Sequence, residues 1–123
     1  MVTVETKNAP AAIGPYSQAK VSGGLVFASG QIPIDPATGN IEAADIGGQT
    51  HRAAQNLAAV LEAAGSGLEK VLKTTCFIAD MNDFAAFNEV YAQYFTGRPA
   101  RSCVEVSKLP KGALVEIEAV AEL

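Results

Sequence analysis

The segment from Asp45 to Gly65 constrains this chain most, because its apolar residues recur at the spacing of a helix and occupy one side only. Asp45 can accept a hydrogen bond from the free N–H groups of a first turn, and Gly65 suits the left-handed residue that often follows a last one. Between them Ile46, Thr50, Ala53, Leu57, Val60/Leu61 and Ala64 form a stripe, predicting a helix from Ile46 to about Ala64. A one-sided helix must lie against a second layer.

The rest of the chain supplies that layer mostly as strands. Val71 to Ile78 is a β-branched run that reads as a central strand, with Thr74, Cys76 and Ile78 alternating with Lys73, Thr75 and Phe77. Ala19–Ser22 and Leu25–Ser29 flank Gly23-Gly24, a hairpin signal, and the second strand ends at Ser29-Gly30-Gln31. Val2 to Thr6 is a weaker opening strand, closed by the loop at Pro10. Pro33, Asp35-Pro36 and Thr38-Gly39-Asn40 make a polar connection to the helix. Asp80 to Asp83 offers N-caps for a second helix whose stripe is Phe84, Phe87, Val90/Tyr91 and Tyr94, ending near Gly97, with Asn88 off its centre.

Two late strands carry the charges. Alternation from Arg101 puts Arg101, Cys103 and Glu105 on one face and Ser102, Val104 and Val106 on the other. After Pro110 and Gly112, Val115, Ile117, Ala119 and Ala121 share one face, while Glu116, Glu118, Val120 and Glu122 share the opposite one. An arginine and several carboxylates are thereby expected in one small region, which invites a functional reading.

This order predicts an α+β fold, with a mixed sheet and two helices packed on one of its faces. A length of 123 residues fits one domain spanning 1–123. One layer of helices leaves the other sheet face open, so self-association is expected.

Nine Lys and Arg against 13 Asp and Glu, with no basic run, make a nucleic-acid partner unexpected. No apolar stretch is long enough to span a bilayer and no leader pattern is seen, so no membrane partner is expected and the cytoplasm is the expected compartment. Cys76 and Cys103 belong to no CxxC pair or ligand set and are expected as free thiols, Cys76 in the core. His51 lies off the helix stripe and is expected at the surface. With no nucleophile-elbow motif and no His/Cys ligand spacing, neither a serine hydrolase nor a zinc deaminase is favoured.

Four segments carry a resemblance: GPYSQA (Gly14–Ala19), ASGQIP (Ala28–Pro33), KTTCFIADMNDFAAFNEVYAQYF (Lys73–Phe95) and PARSCVEVSKLPKGALVEIEAVA (Pro99–Ala121). Together they resemble the Rid family of reactive enamine/imine deaminases, also called the YjgF family, over essentially the whole chain. The resemblance implies a chorismate-mutase-like fold and a homotrimer with active sites in clefts between subunits. It implies hydrolysis of 2-enamino or 2-imino acids, such as 2-aminoacrylate and 2-aminocrotonate, to 2-keto acids and ammonia, with no cofactor and no metal. Arg101 matches the arginine that binds the substrate carboxylate, and Glu116 the glutamate that handles water. Tyr16, Ser29, Gly30, Asn88 and Cys103 match pocket positions. The other readings are a ligand-binding or chaperone-like protein using the same pocket and, further off, an endoribonuclease or translation inhibitor.

Overall fold

Gly23 and Gly24 both take positive φ, 59° and 77°. The hairpin between β2 (Ala19–Ser22) and β3 (Leu25–Gln31) therefore closes on a two-residue turn whose twist suits antiparallel strands. The computed structural model describes residues 1–123. Its remaining elements are β1 (Val2–Val4), α1 (Ile46–Ala63), β4 (Val71–Ile78), α2 (Phe84–Tyr94), β5 (Ala100–Glu105) and β6 (Val115–Glu122).

The six strands form one mixed sheet in the order β1-β2-β3-β6-β4-β5. Only β4 and β5 run parallel, and α2 is the crossover that joins them. The chain's last strand thus sits inside the sheet, paired with both β3 and β4. This corrects the expectation that β4 is central: β3 and β6 hold the middle, and β4 lies second from the edge.

Both helices cover one face, as the pattern predicts. Val26, Cys76, Ile78, Val115 and Ile117 from the sheet share a core with Leu57, Val60 and Leu61 of α1 and Phe87 of α2. The opposite face has no helix, and Phe27 and Val104 on it are 47% and 45% exposed. No helix is long and apolar enough to cross a membrane.

The ends of α1 follow the sequence. Asp45 Oδ1 accepts from Gly48 N at 2.8 Å. At the other end Gly65 takes φ 89°, Gly65 N donates to Glu62 O at 3.0 Å, and Ser66 N donates to Leu61 O at 2.8 Å. These two bonds satisfy carbonyls that the helix leaves free.

Two amides within the apolar stripe of α1 are used to hold irregular backbone. Asn56 is fully buried, and its Nδ2 donates to Ile32 O at 3.0 Å and Ile34 O at 2.8 Å. Gln49 Nε2 donates to Ala43 O at 3.0 Å, while its Oε1 accepts from Leu114 N at 2.8 Å. The loops flanking β3 and β6 are thereby tied to one helix. Asn56→Ala removes both of these buried bonds and is expected to lower stability by on the order of 2 kcal/mol. Urea unfolding at fixed protein concentration checks this: the midpoint falls while the slope is unchanged.

Candidate active site

Phe84, Phe87, Asn88 and Tyr91 stand at i, i+3, i+4 and i+7 on α2, so they share a helix face. That face meets Arg101, next to Thr74 in the parallel register of β4 and β5. Arg101 Nη1 donates to Asn88 Oδ1 at 2.8 Å. Its Cζ lies 4.8 Å from the Tyr91 ring centroid, 5.5 Å from that of Phe84 and 5.8 Å from that of Phe87. The aromatic stripe therefore packs around a cation as well as filling core, and Asn88 belongs to the working face of α2.

Arg101 has no carboxylate partner. The chain's one ion pair joins Arg52 to Asp35 at 3.9 Å. A guanidinium held by one neutral acceptor and by ring faces keeps its charge and most of its N–H donors for an anion, and it can grip a carboxylate through two parallel bonds. Arg101 also lines an open groove with Tyr91, Phe95, Arg98 and Pro99.

Cys103 follows on the same side of β5 and pairs in register with Cys76. Burial pushes its thiol up, and Arg101 only partly opposes that shift. Burial also pushes Cys76 up to about 12. Both are therefore thiols rather than thiolates at neutral pH, which fits a lining role for Cys103 and a core role for Cys76.

A second group forms where β3 and β6 slip register between Ala28 and Gln31, one extra residue standing in β3. Glu116 folds over Gly30 there: a Cβ on Gly30 would lie 2.7 Å from Glu116 Cδ and 2.9 Å from its Cγ. Only glycine lets the carboxylate lie so near the backbone. Burial raises the Glu116 pKa above the usual carboxylate value, and the charge of Glu118 adds to it.

Ser29 Oγ donates to Ser17 O at 2.6 Å, and Ser29 N to Gln18 O at 2.9 Å, so the bulge is tied to the segment that follows Tyr16. Tyr16 lines the same small cleft as Gly30, and its phenol oxygen accepts from Ile13 N at 3.3 Å. Gln18, which the sequence pattern does not single out, holds this segment. Its Nε2 donates to Pro10 O at 2.8 Å and Thr6 O at 3.0 Å, and its Oε1 accepts from Thr6 N at 2.7 Å. A glutamine 4% exposed beside a loop is the signal that could have marked it, but burial is not visible in one sequence.

The structure thus makes two groups of the candidate residues, Asn88, Arg101 and Cys103 in one, Tyr16, Ser29, Gly30 and Glu116 in the other. It does not bring them together within one copy. β4 stands between β5 and β6, and the faces differ: Arg101 aligns with Thr74 and Ala119 on the helix side, whereas Glu116 aligns with Phe77 on the open side. Two strands across and three residues along, each about 10 Å, separate their backbones. The expected single region is corrected accordingly, because an intervening strand shared by both pairings cannot be read from the order of elements.

Glu105 shares the Arg101 side of β5, as the alternation predicts, and it accepts from Met81 N at 2.8 Å and holds the turn before α2. One further expectation changes. His51, expected at the surface, is partly buried, with Nδ1 2.8 Å from Tyr94 Oη and its ring edge-on to that tyrosine at 5.5 Å.

A family model described as Endoribonuclease L-PSP matches residues 6–123. A RutC family protein of Pyrococcus horikoshii is 57% identical over 117 residues, covering 94% of this chain and 93% of its own. A 2-iminobutanoate/2-iminopropanoate deaminase of Salmonella typhimurium is 50% identical over 123 residues, covering 97% of this chain and 95% of its own. Among solved structures, Escherichia coli TdcF with bound serine superposes with a TM-score of 0.95 at 46% identity, covering 100% of this chain and 99% of that one. Motifs, sheet order and these matches along nearly the whole chain agree, and the chain belongs to the Rid family, also called the YjgF family.

Proposed function

We propose that this protein is a deaminase that hydrolyses reactive 2-enamino and 2-imino acids, among them 2-aminoacrylate and 2-aminocrotonate, to 2-keto acids and ammonia. The observation that carries this reading is Arg101: a guanidinium oriented by Asn88 and three aromatic rings, with no carboxylate of the chain to neutralise it. Such a group suits the carboxylate of a small acid. The deaminase name of the Salmonella relative and the serine bound to TdcF support the same substrate class, since an α-amino acid carries the carboxylate and nitrogen of an α-imino acid.

The separation of the two residue groups supports a site completed by a second copy. One subunit offers Arg101, Asn88 and Cys103, and its neighbour offers Glu116, Gly30, Ser29 and Tyr16. The open sheet face with Phe27 and Val104 is the surface to be covered, which fits a chorismate-mutase-like homotrimer with clefts between subunits. The reaction is read as needing no cofactor and no metal, in the cytoplasm.

In this cleft Arg101 anchors the carboxylate and fixes the imine carbon relative to Glu116. Ionised Glu116 takes a proton from water as the oxygen bonds to that carbon and the C=N electron pair moves to nitrogen. Glu116 returns that proton to nitrogen, giving the carbinolamine; it then takes the carbinol hydroxyl proton and passes it to the same nitrogen, so that the C–N bond breaks, ammonia leaves and the C=O bond forms. Tyr16 and Ser29 line the pocket and Gly30 leaves room for the carboxylate to work.

The RNA-cleaving reading suggested by the family model's description finds less support in a chain of net charge −4 without a basic stripe. A binding protein using the same pocket is separated from a deaminase by turnover. With 2-aminocrotonate generated in situ by a threonine dehydratase and semicarbazide competing for it, the protein is expected to speed 2-ketobutyrate formation. Arg101→Ala should lower that acceleration by at least about 30-fold, the loss expected when one side of a buried charged pair is removed. No acceleration by the wild type across a panel of imines favours the binding protein.

The pH profile tests Glu116. As the base must be ionised, kcat/KM falls as pH drops through its pKa, and burial with Glu118 places that limb above the usual carboxylate range. Glu118→Gln removes a like charge and should move the acid limb to lower pH. An unmoved limb would mean that another group sets it.

A further inference from the structure

We infer that Tyr91, pinned to the sheet by Thr74, is the positioning residue for the Arg101 guanidinium. The inference rests on the reading of Arg101 as the carboxylate anchor, but the geometry behind it is independent of turnover. Tyr91 is 8% exposed and Thr74 1%, and their hydroxyl oxygens are 2.7 Å apart. Each would otherwise be a buried hydroxyl without that partner. The bond fixes the far end of the tyrosine ring beside the strand position that neighbours Arg101 in register.

The ring is fixed again from the helix side. Phe95 stacks on it with centroids 4.3 Å apart and planes 21° from parallel. Of the three rings near Arg101, Tyr91 is the nearest, at 4.8 Å from Cζ. Asn88, three residues before it, supplies the hydrogen bond to Nη1. Both contacts therefore come from one helix, and the bond to Thr74 sets where that helix sits over β4. Phe at position 91 would supply the ring and not the pin.

Arginine has many rotamers and loses binding energy if it must be ordered by the ligand. A guanidinium ordered beforehand grips a carboxylate at no such cost. The positioning is thus a device for affinity, and it should act on substrate binding more than on the chemical step.

The test uses Tyr91→Leu, Tyr91→Phe, Thr74→Val and the Tyr91→Phe/Thr74→Val double variant in the deaminase assay above, with unfolding midpoints measured in parallel. Tyr91→Leu should raise KM about tenfold, the factor of a partly buried cation–π contact, with kcat changed less than about threefold. Tyr91→Phe should raise KM about threefold. In the double variant both hydroxyls are gone, so stability should return toward wild type while the KM defect stays. A defect that recovers with stability would mark Tyr91 and Thr74 as core packing only.

A second readout does not depend on activity. The Arg101 Nε–H resonance in 15N NMR, assigned with Arg101→Lys, should be shifted by the rings in the wild type and move toward a free-arginine position in Tyr91→Leu. An unmoved resonance overturns the positioning role, and so does an unchanged KM in folded Tyr91→Leu when Arg101→Ala has slowed turnover. If the resonance moves but Arg101→Ala hydrolyses imines as fast as wild type, positioning stands and the deaminase reading of Arg101 fails.

Discussion

The alternation of β6 is the constraint on which the rest depends. Its period of two sends Val115, Ile117, Ala119 and Ala121 into the helix-covered core, where each is less than 5% exposed, and so sends Glu116 and Glu118 to the opposite face. Because β6 sits between β3 and β4, these directions hold for the middle of the sheet. Sliding β6 by one residue would turn Glu116, Glu118 and Glu122 toward the core, so register and charge placement are one decision. The helices follow, since α1 and α2 can only lie where the apolar side is.

The same alternation keeps opposite charges apart. Were Arg101 and Glu116 on one face of a single copy, they could close as an ion pair and lose their use for a substrate. The sheet itself prevents this. Arg101 keeps its donors, and Glu116 keeps a proton affinity raised by burial and by Glu118 instead of lowered by a nearby cation. On the proposed reading a second copy brings the two chemistries together, and Phe27 and Val104, exposed on the open face, are apolar surface for it to cover.

What could be read from the sequence was local in origin. The Gly23-Gly24 turn, the Asp45 and Gly65 ends of α1, and the faces of β4 and β6 all appear as the pattern predicts, because each rests on a few neighbouring residues. The place of β4 between β5 and β6 did not follow, since the parallel crossover through α2 and the return to β6 are long-range choices. Nor did the roles of Gln18, Gln49 and Asn56, whose partners include backbone groups as distant as 65 residues. Among the site residues, strand alternation drew attention to Arg101 and the carboxylates of β6, whereas their separate roles, and the pairing of Asn88 with Arg101, needed the family motifs and the structure because the α2 stripe reads as core alone.

The stripe on α2 shows why that reading falls short. Phe84, Phe87 and Tyr91 meet the usual test for a core-facing helix, yet one side of the cluster is capped by a guanidinium instead of an aliphatic chain. Aromatic rings can serve both purposes, because their edges pack like hydrocarbon while their faces attract a cation. Leucines at these positions would preserve the core and leave Arg101 with Asn88 alone. A helix stripe rich in aromatic rather than aliphatic residues, facing a strand that carries an arginine, is therefore a sign of a held cation. With no acid nearby to neutralise it, that cation keeps donors free, which is what the proposed carboxylate site requires.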